Sequence, residues 1–402
     1  MLGGLAQLFS ELPVATISAA LCYISLIVIF FSPASAALKR AFFVTTPTSG
    51  NYVPSYDSLR GLMALWVAVG HMSAWSGRRF DVIMREYPSF MLSNGYAVLF
   101  FCSLSGLLIY RSVLKIDDAE GMHNYIIRRF LRIYPVYIVT TICAMFFCTQ
   151  PMTFNRIIAE LLMLRSFGYP GYLNPPAWSL YVEVLFYLVI PVLALAFRKR
   201  MLYISGILMI LLWFGEHDAS NEIALWKFFF AGIFSSEVLD RLKGKISVPL
   251  ALGCLGLGAG LVAFAAYSNF HHGHYLLGWS ERGAAACLAV PLVLVGVSAL
   301  PSNPVLDMPL LKIIGASSYS LYLWHPFVGM ADDPSFLFTG TGKYVEAWAP
   351  ASSLDPYLVF WLVMLPAMLF WAMASFLLIE RPCLSLRRKF LKPRRVQPAP
   401  VQ

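Results

Sequence analysis

Charge is scarce in this chain: Asp, Glu, Lys and Arg make up 13% of its 402 residues, about half the share usual in soluble domains. No polar stretch longer than about thirty residues separates its apolar runs, too little for a second, soluble core. Paired cysteine spacing is also missing. Cys22, Cys102, Cys143, Cys148, Cys254 and Cys287 fall inside apolar runs and Cys383 sits among basic residues, which excludes a loop disulfide framework and a Cys-x-x-Cys metal pair. The one histidine-rich stretch, His271-His272-Gly273-His274, has no helical His-x-x-x-His spacing and no cysteine beside it, so no metal is expected. Internal repeats and low-complexity tracts do not stand out either.

What the chain has in excess is apolar sequence, at 59% of all residues. Runs long enough to cross a bilayer, at about twenty residues per span, occur near 14–35, 57–76, 93–111, 133–149, 179–197, 201–215, 223–239, 247–267, 282–300, 313–330 and 356–379. The expected fold class is all-α: a polytopic transmembrane helix bundle of about 10–11 spans with no separate soluble domain. Two of these runs, 201–215 and 223–239, are short or carry a charge and read as tilted or re-entrant pieces. The first run ends in Ser32-Pro33-Ala34-Ser35-Ala36-Ala37, like a cleavage site, but lacks a basic residue before it and has Lys39 and Arg40 after it, so an uncleaved helix is expected.

A net charge of +9 raises the question of nucleic acid. The basic residues instead cluster in short loops between apolar runs, the pattern that orients a membrane protein, and no nucleic-acid partner is expected. Threading the spans with Lys39 and Arg40 inside also gathers Arg128, Arg129, Arg132, Arg198, Lys199, Arg200 and the tail from Arg381 to Arg395 on the cytoplasmic side. The N-terminus then lies outside and the C-terminus in the cytoplasm. The final residues, 386–402, read as a basic, disordered tail.

Polar residues embedded in apolar spans carry most of the functional information, because an arginine at mid-membrane costs about 3 kcal/mol unless it faces a wet interior. Arg60 and His71 lie eleven residues apart, almost three helical turns, which puts them on one stripe about 16 Å apart. A neutral imidazole can take and return a hydroxyl proton, and a guanidinium can hold an anion. The structural alternative pairs Arg60 with Asp57 and has His71 bond a neighbouring helix. Ser105-Gly106 with Arg111 at the inner end of the same span reads equally as close helix packing with a snorkelling arginine.

Arg128, Arg129 and Arg132 beside Tyr134 and Pro135 form a basic knot between two spans. It suits membrane anchoring and also a phosphate-bearing cofactor arriving from the cytoplasm. Glu183, one turn inside the run that begins Trp178-Ser179, needs an arginine or histidine partner. Tyr319, Tyr322 and His325 recur at spacing three and therefore share a face. A second embedded histidine points to a cavity that handles protons. A transporter or flippase path is the competing reading of such charges.

Taken in order, Asp57-Ser58-Leu59-Arg60-Gly61-Leu62 with His71, Phe100-Phe101-Cys102-Ser103-Leu104-Ser105-Gly106 with Arg111, Arg128 to Pro135, Trp178-Ser179-Leu180-Tyr181-Val182-Glu183, and Ser318 to Pro326 resemble the acyltransferase 3 family of integral membrane acyltransferases. The likeness spans about residues 55–385, after an additional N-terminal helix and linker over 1–54. It departs from the family in three places: Gly95-Tyr96-Ala97-Val98-Leu99 lacks the usual acid before the Phe-Phe pair, the first helix is extra, and Glu183 is followed by Val184 rather than a second glutamate. The resemblance implies transfer of an acyl group, usually acetyl from cytoplasmic acetyl-CoA, to a hydroxyl of a carbohydrate or glycolipid acceptor at the outer face of a bacterial inner membrane. His71, Arg60, Glu183 and His325 are then the expected catalytic set, and Arg111, Arg128, Arg129, Arg132 and Tyr134 the expected donor-binding set.

Overall fold

In lipid a backbone must satisfy its own hydrogen bonds, and long apolar runs with few charges do so as helices. The computed structural model describes residues 13–33, 35–43, 53, 55–75, 95–146, 152–164, 173–174, 176–214, 225–242, 245–272, 281–300, 303–332 and 359–392, and among these it holds helices and no strand. The helices are α1 (Pro13–Phe31), α2 (Ser35–Phe43), α3 (Ser55–Trp75), α4 (Gly95–Val113), α5 (Ala119–Phe146), α6 (Phe154–Leu161), α7 (Ala177–Phe197), α8 (Met201–Phe214), α9 (Trp226–Arg241), α10 (Val248–His272), α11 (Glu281–Ala299), α12 (Pro309–Ala316), α13 (Ser318–Asp332), α14 (Leu365–Ser375) and α15 (Arg381–Phe390). Single π-helical segments, Phe360–Met364 and Phe376–Glu380, flank α14 and join it to α15 without a break.

Among the described residues six stretches are long and apolar enough to cross a bilayer: Val14–Phe31, Gly95–Val113, Ala119–Phe146, Ala177–Trp213, Val248–Tyr267 and Trp361–Phe390. The fourth contains two of the expected spans, joined by a 3₁₀ turn of Arg198-Lys199-Arg200. The other expected spans are occupied by helices that are shorter or carry more charge. α9, with 16 residues, is only about 24 Å long at 1.5 Å per residue, less than the hydrocarbon thickness of about 30 Å.

That short helix is also among the most enclosed. Lys227, Phe228, Phe229, Phe230, Ala231, Gly232 and Ile233 are all buried, with α4, α8 and α11 packed around it. Its contact with α4 is backbone to backbone: a Cβ on Gly106 would overlap the Phe229 carbonyl, and one on Gly232 would overlap the Ser103 carbonyl. The same device joins α3 to α12, where a Cβ on Gly61 would lie 2.7 Å from the Gly315 nitrogen and one on Gly315 would strike the Asp57 carbonyl. Small residues at such crossings let dispersion and interhelical hydrogen bonds hold the bundle where no hydrophobic effect operates between helices.

Three expectations change in detail. The run 313–330 is not one helix. It is interrupted at Ser317, which caps α12, and α13 begins at the next residue. The basic knot at Arg128–Arg132 is not a connection between spans: α5 runs straight through it for 28 residues, with Pro135 inside. The tail does not begin after 385, because α15 continues to Phe390 and packs against α5. At the other end of the chain, α1 packs on α14, and the Trp371 indole donates to the Ser18 hydroxyl at 3.1 Å.

Candidate active site

A cavity of about 880 Å³ lies inside the bundle, and its walls come from α3, α4, α5, α7, α9, α13 and α15. Eight of its lining residues are basic: Arg60 from α3, Arg111 from the C-terminal end of α4 and Lys115 just beyond it, Arg128, Arg129 and Arg132 from α5, and Arg387 and Arg388 from α15. Only Asp57, Glu183 and Asp240 oppose them among the lining residues. Three arginines are held by carboxylates. Arg60 lies 3.8 Å from Asp57 one turn away, Arg111 reaches Asp240 at 3.7 Å and the Ser236 hydroxyl at 3.1 Å, and Arg132 pairs with Glu380 at 2.8 Å.

Arg129 is held differently, by aromatic faces. Its guanidinium carbon sits 5.7 Å from the Tyr125 ring centre and 5.4 Å from that of Tyr187. Two rings fix the plane of the side chain through cation–π attraction while leaving its N–H donors for an anion. Among the described residues no carboxylate pairs with Arg129, Arg387 or Arg388.

Glu183 is not matched to Arg60 by a close ion pair. Its Oε1 accepts from the Ser105 hydroxyl at 2.7 Å and from Tyr187 at 2.6 Å, so α4 and α7 meet through this carboxylate. Tyr134 is not among the cavity-lining residues; its ring stacks on Phe130 at 4.8 Å and meets Tyr137 edge-on.

Glu380, absent from the sequence expectations, is fully buried and uses both oxygens, the second accepting from Ser320 at 3.1 Å. The signal for it exists in the sequence, since a carboxylate follows the apolar run Phe376-Leu377-Leu378-Ile379, but Arg381 beside it gives the end of that span an ordinary basic flank.

Along α13 three polar residues of the Ser-Tyr-Ser-Leu-Tyr segment are tied to other helices. Tyr319 donates to the Ile133 carbonyl at 2.7 Å, Ser320 to Glu380, and the Tyr322 hydroxyl shares a hydrogen bond with Ser179 at 2.7 Å. Tyr322, Ser179 and Phe101 all line the cavity, and Phe101 meets Tyr322 edge-on at 5.7 Å.

His71 and His325 lie beyond this layer, and neither is among the cavity-lining residues. They meet each other. His71 Nδ1 is 2.9 Å from His325 Nε2, with the ring planes 10° apart.

The proton positions in this pair follow from Pro326. Proline has no N–H, so the Tyr322 carbonyl four residues earlier loses its helical donor, and His325 Nδ1 stands 2.9 Å from that oxygen. A carbonyl only accepts, so His325 Nδ1 carries the hydrogen and its Nε2 the lone pair. The hydrogen between the rings then belongs to His71 Nδ1, which donates to His325. The basic lone pair of His71 is placed on Nε2. This is the arrangement in which a general base is oriented by a second group behind it.

Comparison with known proteins bears on the same residues. The family model for the acyltransferase domain matches residues 53–379. The chain belongs to the acyltransferase 3 family. It is 27% identical to the exopolysaccharide production protein ExoZ of Rhizobium meliloti over 309 residues, covering 71% of this chain and 87% of that protein. It is 24% identical to the acyltransferase MdmB of Streptomyces mycarofaciens over 336 residues, covering 75% and 84% respectively. No solved structure matches. The protein is a membrane O-acyltransferase. Among the described residues no group of His, Cys, Asp and Glu is placed to hold a metal ion, while the side chains of His271 and His272 and all of His274 fall outside them.

Proposed function

We propose that this acyltransferase takes an acetyl group from cytoplasmic acetyl-CoA and transfers it to a hydroxyl of a surface polysaccharide or glycolipid at the outer face of a bacterial inner membrane. The observation that carries this reading is a cationic cavity inside a membrane bundle that ends one side-chain layer short of a histidine pair. A donor with several phosphates at one end and a thioester at the other fits such a gradient. The phosphates meet the arginines of α4, α5 and α15, while the acyl end points toward Tyr322 and Ser179. The positive-inside rule assigns the arginine-rich end and the C-terminus to the cytoplasm. The polysaccharide acceptor is suggested by the name of the Rhizobium relative.

In this reading His71 Nε2 takes the proton of the acceptor hydroxyl as its oxygen attacks the thioester carbonyl. Collapse of the tetrahedral intermediate breaks the carbon–sulfur bond, and the leaving thiolate receives that proton from His71. His325 holds the ring in its tautomer. Arg60 and Glu183, in the cavity below, orient the donor arm. Passage of the arm to His71 requires the Tyr322 hydroxyl to leave Ser179 so that the ring can turn aside.

Replacing His71 by Ala should lower acetyl transfer by at least about 10²-fold, the usual worth of a positioned base, while folded protein stays in the membrane. Membranes supplied with labelled acetyl-CoA, with the acceptor read by mass spectrometry, provide the measurement. Full activity in H71A ends the role given to His71. Label recovered on the His71 imidazole makes it a transient acyl carrier instead of a base.

A further inference from the structure

The basic residues at the end of the chain read, in sequence, as membrane anchors. The fold gives two of them another position. α15 is an amphipathic helix with Arg387, Arg388 and Lys389 in its last turn, and it lies along α5 instead of leaving the bundle. Arg387 and Arg388 line the same cavity as Arg128 and Arg129, with Leu384 and Leu391 beside them.

The end of the helix is clasped. The side-chain amide of Asn124 on α5 donates to the Lys392 carbonyl at 3.0 Å, and its oxygen accepts from the Lys392 N–H at 2.9 Å. Asn124 thus supplies a donor and an acceptor to one residue's backbone, as a neighbouring strand would. Asn124 is buried, and nothing about a simple anchor in a headgroup layer calls for so specific a clasp.

We propose that α15 is the outer wall of the donor site: Arg387 and Arg388 bind the phosphates at the nucleotide end of the acyl-CoA donor, and Asn124 is the positioning residue that holds them there. The inference rests on the acyl-CoA reading given above. Four guanidinium groups converge at this mouth, and Arg387, Arg388 and Arg129 have no carboxylate partner among the described residues. Converging like charges repel one another, and a polyanion with a pyrophosphate and a phosphate monoester relieves that repulsion while taking up fork-shaped donors. Anionic lipid headgroups offer the same phosphate chemistry. Both arginines line the cavity, Arg387 half-buried and Arg388 exposed at its rim, and that shared position beside Arg128 and Arg129 favours the donor.

The test uses the full-length protein in liposomes of neutral phosphatidylcholine and measures equilibrium binding of labelled acetyl-CoA and of labelled acetyl-pantetheine, which lacks every nucleotide phosphate. The double variant R387A/R388A should bind acetyl-CoA at least about tenfold more weakly, as expected for lost charge-assisted hydrogen bonds, and acetyl-pantetheine as wild type does. R388A alone, at an exposed side chain, should fold normally and show part of the same loss. N124A should reproduce the selective loss of acetyl-CoA binding without removing any charge.

Unchanged acetyl-CoA affinity in these variants overturns the proposal, as does an equal loss with both ligands, which marks a structural role only. A loss that appears only when anionic lipid is added to the liposomes assigns the arginines to headgroups and likewise overturns it. Wild-type protein that binds no acetyl-CoA at all fails the donor reading itself, and this inference with it.

Discussion

Pro326 illustrates how a residue with no chemistry of its own can set the chemistry of another. By withholding an N–H it leaves the Tyr322 carbonyl to His325 Nδ1, and that fixes the lone pair on His71. Substituting Ala restores a donor to the helix, which competes for the same carbonyl and frees His325 to change tautomer. P326A should lower kcat about tenfold with the KM for acetyl-CoA unchanged, because the donor cavity is untouched. Its thermal midpoint should hold or rise, since Ala is the better helix residue by about 3 kcal/mol in an unconstrained interior. Wild-type kcat in P326A would show that the carbonyl does not govern the pair. Spacing alone put Tyr322 and His325 on one face, and the run from Arg60 to His71 is legible as one stripe. That the two histidines meet was not, because nothing local in the sequence says which faces of two distant helices turn toward each other. Glu183 shows the same limit: the need for a partner follows from burial, but hydroxyls of Ser105 and Tyr187 satisfy it instead of an arginine.

Between helices, the positions that decide the architecture are glycines whose backbones touch. Gly106 and Gly232 bring α4 and α9 together at the centre of the bundle, and this contact also sets where Ser105 and Arg111 face the cavity. A methyl group at either position overlaps a carbonyl, with no flexible side chain to give way. G106A and G232A should each destabilise by about 1–3 kcal/mol or more, as overpacking does. G253A is the matched control, since a Cβ there meets nothing within 4 Å, and it should stabilise by about 0.5–1 kcal/mol through helix propensity. Thermal melting of the detergent-solubilised variants separates the two cases, and equal midpoints for G106A and G253A contradict the close crossing. The small Ser105-Gly106 step was readable as a packing device, but its partner Gly232 was not, since glycine in an apolar span has several uses. The break at Ser317 escaped the sequence reading for a related reason: its neighbours are as apolar as those of a continuous span, and a lone serine also occurs inside unbroken helices, as Ser205 and Ser235 do.

For the molecule as a whole, the same basic residues carry two readings, membrane orientation and donor binding. Their placement between apolar runs is what makes the orientation of the chain legible from sequence, yet the fold turns eight of the basic side chains into one cavity against three acidic ones. The orientation reading comes from sequence because it depends only on position along the chain. The gathering of these residues around one cavity is only partly legible there, because it depends on α5 continuing through the arginines and on α15 folding back to them. A cavity with this imbalance attracts a polyanionic donor over a distance, and that attraction is screened by salt, with a Debye length of about 10 Å at 0.1 M and about 3 Å at 1 M. Raising ionic strength tenfold with a monovalent salt should therefore raise the KM for acetyl-CoA several-fold. The KM for acetyl-pantetheine, which carries no phosphate, should stay flat, and kcat should stay constant for both because the histidine pair lies beyond the charged walls. Measuring initial rates with both donors across the salt series is sufficient. Parallel responses of the two donors would mean that salt acts on the membrane or on the acceptor, and that the charge of the cavity is not what holds the donor.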